Sequence, residues 1–187
     1  MKIALAQINP VIADINGNRE KIISFMKRAD EAGADLAVFP ELCTMGYPPM
    51  DLLENRKLVD DNIKSLDEIR LSCAGLSVAA VIGFVDYDRS NPPMLFNSAA
   101  VIYRGEIIFR QNKTLLPGYD VFDEYRYFSP AAASGLFSFK GKTIGITICE
   151  DIWAAFREDN SPFLEQRRYQ KDPVQSLAGS GASLILN

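Results

Sequence analysis

At 187 residues, with 48% apolar and 24% charged side chains, the chain has the composition of a soluble globular protein and the length of one sizeable core. A formal charge of −4 and a pI of about 4.9 favour neither nucleic acid nor anionic membrane as a partner. The absence of histidine excludes a Ser-His-Asp or Cys-His catalytic pair and any His-containing zinc site.

The first segment, "KIALAQIN" (2–9), predicts a strand and is too short and too quickly polar for an export signal. Asn16 or Asn18 is placed to cap a helix running to about Ala32, with Gly33 just past its end. Ile22, Met26 and Ala29 form its apolar stripe, helped by Phe25 and Ala32. "ADLAVFPE" (34–41) follows as a short buried strand stopped by Pro40. A strand–helix–strand unit is the usual mark of α/β architecture. "CTMGYPPMDLL" (43–53) is a loop by its Gly and paired Pro.

A second helix is expected over about 57–71, with Val59, Ile63, Leu66 and Ile69 facing inward. Residues 77–86 are near-continuously apolar, as in a strand covered on both faces, and "DRSNPP" (88–93) is a turn. "FNSAAVIYRGEIIFRQNK" (96–113) predicts a hairpin bending at Arg104-Gly105. Residues 114–134, rich in aromatics, Gly and Pro without periodicity, form a long structured loop of the kind that carries function. "GLFSFKGKTIGITIC" (135–149) gives another hairpin, turning at Gly141. Residues 157–173 look irregular, a helix fills about 173–180, and "ASLILN" (182–187) is a last strand.

Three widely spaced cysteines, Cys43, Cys73 and Cys149, with no CxxC pair, are read as reduced thiols of a cytoplasmic protein. "VAAVIGFV" (78–85) is far too short to span a bilayer. No Walker A, GxGxxG or GxSxG pattern is present. "SFMK" (24–27) has the SxxK spacing but lies inside an amphipathic helix without a companion motif.

The chemistry concentrates at the ends of three apolar strands. In "KTIGITIC", Ile144, Ile146 and Ile148 share the core face, while Thr143, Gly145, Thr147 and Cys149 share the other. Cys149 then stands at a strand's carboxyl end, where open α/β sheets place their sites, and two carboxylates follow it directly. A thiol needs help to react at neutral pH, and without histidine the helpers are carboxylates and lysines. Glu41 ends "AVFPE" and Lys113 ends "IIFRQNK". Three reactive groups placed alike are expected to converge on one sheet edge. Cys43, two residues beyond Glu41, is expected to pack beside the site, and Trp153 to be core.

"FPELCTMGYPPMDLL" (39–53), "RQNKTLLPGYDVFDEYRYFSP" (110–130) and "GITICEDIW" (145–153) resemble the Glu, Lys and Cys motifs of the carbon–nitrogen hydrolase (nitrilase) superfamily. "GYPPMDLL", "VFDEYRYF" and "ICEDIW" are similar to the glutamine-hydrolysing domains of glutamine-dependent NAD+ synthetases. The resemblance implies an αββα four-layer sandwich and a catalytic triad of Glu41, Lys113 and Cys149. It implies glutamine as substrate, with Tyr47, Tyr119, Phe122 and Glu150 around it and Glu124 holding Lys113 by an ion pair. No cofactor or metal is expected in this domain. ATP, Mg2+ and deamido-NAD+ belong to a synthetase domain that normally follows on the same chain, and a homo-oligomer is expected. The family's domain is longer than 187 residues, so the chain is expected to lack its C-terminal part as well as the synthetase domain. A stand-alone amidase or nitrilase, and a truncated assembly module without activity, are the alternatives.

Overall fold

The computed structural model describes residues 1–88, 94–156 and 169–187. Among these, five strands form one sheet in the order β1-β2-β3-β4-β5 and three form a second in the order β6-β7-β8. The first sheet comprises β1 (Ile3–Leu5), β2 (Leu36–Val38), β3 (Ala79–Asp88), β4 (Met94–Tyr103) and β5 (Glu106–Asn112). The second comprises β6 (Leu136–Phe139), β7 (Lys142–Ile146) and β8 (Leu184–Leu186).

Strands β1, β2 and β3 are mutually parallel, and β4 is antiparallel to both β3 and β5. So β5 runs the same way as β2, and the carboxyl ends of β2 and β5 lie at one edge. The two hairpins turn where expected. Arg104 and Gly105 have φ of +50° and +80°, and Lys140 and Gly141 have +44° and +72°. Two consecutive positive φ values match the right-handed twist of the flanking strands, and glycine takes the second without a Cβ penalty.

Alternation along each strand divides the core. Leu36, Ala79, Val81, Ala99 and Val101 meet Phe137, Phe139, Ile144, Ile146 and Ile148 between the sheets. Ala37, Ala80, Ile82, Phe84 and Ala100 face the other way, against Ile22, Met26, Leu66 and Ile69 of the helices α1 (Ile15–Glu31) and α2 (Arg56–Ser72). On the far side of the second sheet, Gly145 leaves room for Leu177 of α3 (Pro173–Gly179), whose Cδ1 would lie 2.8 Å from an added Cβ. The layers are therefore helix, sheet, sheet, helix, the expected αββα sandwich. Each fully buried aliphatic side chain here contributes about 1.5–3 kcal/mol.

Several local expectations differ from the structure. Asp14, not Asn16 or Asn18, caps α1, its carboxylate accepting the Gly17 N–H at 3.0 Å. Asn18 lies one turn inside, fully buried, bonding both the N–H and the C=O of Val11 and the C=O of Thr44. A buried amide with those partners staples two loops rather than ending a helix. Ala32 is exposed at the C-cap. The first strand is only three residues, because Gln7 and Ile8 turn back onto Leu5 and Ala6. A short 3-10 helix (Met50–Glu54) occupies part of the expected loop. Residues 89–93 of the expected turn and 157–168 of the expected irregular stretch lie outside the described residues. No described helix is long and apolar enough to cross a membrane.

Candidate active site

Glu41 is carried on the segment that leaves β2. This backbone lies directly on β3 at Gly83, where an added Cβ would come within 2.5 Å of the Pro40 carbonyl oxygen and the Leu42 nitrogen. Leu42 takes φ +46°, and the Thr44 N–H bonds the Gly83 carbonyl at 3.2 Å. Cys43 is fully buried beneath this turn, its thiol donating to the Gly83 carbonyl at 3.4 Å, as its expected packing role requires. Burial pushes that thiol up to about 12, so it is inert at neutral pH.

Lys113 follows β5 directly. Its N–H donates to the Asn97 carbonyl at 2.7 Å, and its carbonyl accepts from Ala131 at 2.8 Å. The side chain has no solvent exposure. Its Nζ donates to Oε1 of Glu41 at 2.7 Å and to Oε1 of Glu124 at 2.9 Å. Glu41 Oε1 also receives Asn97 Nδ2 at 2.6 Å, and Glu124 Oε1 receives the Tyr47 hydroxyl at 2.9 Å. Asn97, Glu41, Lys113, Glu124 and Tyr47 thus form one continuous chain of hydrogen bonds. Burial by itself disfavours the Lys113 ammonium, but the charges of Glu41 and Glu124 outweigh it and hold the amine above the ordinary lysine value. Burial pushes the Glu124 carboxyl up, against the pull of Lys113, and pushes the Tyr47 hydroxyl far up with help from the Glu124 charge.

Cys149 comes from the other sheet. Strand β7 ends at Ile146, and Cys149 opens a 3-10 helix (Cys149–Phe156) with φ +46°. A non-glycine residue in this region stores about 1–3 kcal/mol and persists only where its surroundings fix it. Here the Ile148 N–H donates to Oδ2 of Asp151 at 3.0 Å, and the Asp151 N–H donates to the Ile148 carbonyl at 3.1 Å. The residue is exposed, and its thiol lies within hydrogen-bonding reach of the Glu41 carboxylate. Crowding by protein atoms and then the Glu41 charge push the thiol up to about 12, with Lys113 pulling the other way. Glu41 and Cys149 line a cavity of about 90 Å³ between the sheet ends, with Ser98 and Thr147.

The three strand ends do converge, but not on one sheet as the sequence predicts. Glu41 and Lys113 belong to the five-stranded sheet, and Cys149 crosses to them from the three-stranded one. The side-chain alternation of β7 could not reveal this, because it defines faces, not which sheet a face opposes.

The aromatic residues singled out in the loops gather nearby. The rings of Tyr47 and Phe122 are 6.2 Å apart, and those of Tyr119 and Phe122 are 5.7 Å apart. Glu150 is buried, and its carboxylate accepts the hydroxyls of Tyr119 at 2.8 Å and Tyr169 at 2.6 Å. Trp153 is 45% exposed rather than core, because the short helix turns Asp151 and Ala154 inward and leaves it outside. Sequence reading gave no role to Asn97, Asp151 or Tyr169. Asn97 and Asp151 were signalled only as polar residues in otherwise apolar or motif-bearing stretches. Tyr169 carried no signal in a stretch without periodicity.

The arrangement offers a thiol beside a carboxylate that can take its proton, and an ammonium that can receive developing negative charge. Among the described residues no group of three His, Cys, Asp or Glu is placed to hold a metal ion.

Residues 2–155 match the family model described as carbon-nitrogen hydrolase. The chain is 41% identical over 188 aligned positions to the glutamine-dependent NAD(+) synthetase of Synechocystis, covering 99% of this chain and 33% of that protein. It is 40% identical over 153 positions to the protein of the same name from Thermotoga maritima, covering 82% of this chain and 26% of that one. The solved glutamine-dependent NAD+ synthetase from Acinetobacter baumannii superposes with a TM-score of 0.80 at 32% identity, over 99% of this chain and 32% of that one. An amidase from Nesterenkonia shares the fold, with a TM-score of 0.78 at 22% identity over 99% of this chain and 63% of that one. The chain spans about a third of the length of the synthetases it matches.

Proposed function

The chain belongs to the carbon–nitrogen hydrolase family, and from that premise we propose that it hydrolyses the side-chain amide of glutamine through a thioester on Cys149. The ammonia released would serve ATP-dependent amidation of deamido-NAD+ to NAD+. ATP, Mg2+ and deamido-NAD+ would be handled by a synthetase domain and not by residues 1–187, which form a glutaminase domain. The observation that carries the reading is the meeting of Glu41, Lys113 and Cys149, supported by glutamine-dependent relatives that are 40–41% identical.

Glu41 takes the thiol proton as the sulfur attacks the amide carbon. The charge that develops on the amide oxygen is received by the Lys113 ammonium and the backbone N–H of Glu150. Loss of one such donor costs about 2.7–4 kcal/mol of barrier. Glu41 returns the proton to the leaving nitrogen, and ammonia departs. Water, activated by the same carboxylate, then cleaves the thioester to give glutamate and the free thiol. Tyr47, Tyr119 and Phe122 would wall the substrate. The buried Glu150 carboxylate would face its ammonium end, and Glu124 would hold Lys113 in register.

Treatment with a glutamine-directed diazoketone, followed by mass spectrometry, tests this directly. A single adduct on Cys149, prevented by excess glutamine and absent in Glu41→Gln, is the expected result. Protection by a small aliphatic amide but not by glutamine would replace the glutamine reading with that of a stand-alone amidase. No adduct at all would favour an assembly module without activity.

A further inference from the structure

We propose that Asp151 is a positioning residue that sets Cys149 against Lys113 by tying together the two loops that carry them. The inference rests on the reading that Cys149 is the nucleophile and Glu41 its base. The Asp151 side chain is buried, with 1% exposure. Its Oδ1 accepts the backbone N–H groups of Thr114 at 2.9 Å and Leu115 at 2.7 Å, immediately after Lys113. Its Oδ2 accepts the N–H of Ile148 at 3.0 Å, immediately before Cys149. One carboxylate therefore joins the exit of the five-stranded sheet to the exit of the three-stranded sheet.

Other directional ties between the two sheets are Lys140 with Asp35, at the end away from Cys149, and the Gly135 N–H with the Gln111 side chain. The facing side chains of the sheets are aliphatic and aromatic, and apolar contact resists separation far better than it resists sliding. Three hydrogen bonds on one rigid carboxylate fix the two loops that carry Lys113 and Cys149 against each other, where the apolar layer gives no direction. The Asp151 N–H closes the turn on the Ile148 carbonyl, which confines Cys149 to its left-handed backbone. All three partners are donors, so the site needs a group that only accepts. An asparagine would turn its NH2 against at least one of them. Keeping a charge here is expensive: burial pushes the carboxyl up to about 6 despite the three backbone donors.

The rate of Cys149 alkylation by iodoacetamide, resolved by mass spectrometry across pH 6 to 9.5, tests the assignment without calling on glutamine. In the wild-type chain, base assistance from Glu41 keeps the rate nearly level at neutral pH. In folded Asp151→Asn the plateau is expected to collapse, so that the rate falls about tenfold per pH unit below about 8.5, as for an unassisted thiol. Wild-type behaviour in folded Asp151→Asn overturns the inference while leaving the triad intact. A wild-type profile that is itself that of a free thiol removes the triad reading and this inference with it. If Asp151→Asn does not fold, Asp151→Ser takes its place with the same expectation. If neither folds while Cys149→Ala does, Asp151 serves folding alone and the positioning role is wrong.

Discussion

Lys113 Nζ stands 2.7 Å from Oε1 of Glu41, and no part of the lysine side chain reaches solvent. Its second carboxylate, Glu124, is 2.9 Å away and 6% exposed. A buried ammonium held by two carboxylates is fixed in place, and removing it leaves one buried and one partly buried anion together.

Lys113→Met should therefore cost about 3–5 kcal/mol of stability, the usual penalty for breaking a buried pair from one side. Urea denaturation at pH 7 measures it, and adding Glu124→Gln should recover part of the loss. The sign with pH follows from the raised amine. Its contribution is fully present below the unfolded value of 10.5 and is lost as pH rises through the higher folded value. Wild-type stability should fall above about pH 10.5 more steeply than that of Lys113→Met. Equal slopes would mean that Lys113 does not titrate as the geometry requires.

Cys149 should rest as a neutral thiol, because crowding and the Glu41 charge push it up to about 12. The difference in absorbance at 240 nm between wild type and Cys149→Ala should stay flat from pH 6 to 10. A thiolate signal already present at pH 7 would point to an ion-pair nucleophile in place of proton transfer to Glu41.

Gly83→Ala should displace the turn that carries Glu41. The new methyl would press within 2.5 Å of backbone atoms of Pro40 and Leu42, which have no side-chain freedom to yield. Overpacking of this kind costs about 1–3 kcal/mol. Glutamine turnover should fall about a hundredfold, as expected for a shift of about 1 Å in a reacting group. Thermal unfolding with steady-state kinetics checks both. Unchanged turnover would show that the Glu41 turn adjusts freely.

Much of this molecule was readable in one dimension. The 3.6-residue stripe of Ile22, Met26 and Ala29, the alternation of Ile144, Ile146 and Ile148, and the turns at Arg104-Gly105 and Lys140-Gly141 are local consequences of side-chain period and backbone sterics. The motifs around Glu41, Lys113 and Cys149 named three groups that no histidine could replace, and their place beyond strand ends put them at an edge. Only the folded chain decided that the edge belongs to two sheets, with β2 and β5 in one and β7 in the other. It also decided that Asp14 outcompetes Asn16 and Asn18 as a cap, that Asn97 and Glu124 pin Glu41 and Lys113, and that Asp151 spans both loops. Periodicity follows from the geometry of a single element and survives in the sequence. The pairing of a buried polar group depends on which distant donors the packed layers bring within 3 Å, and neighbours along the chain carry no record of that.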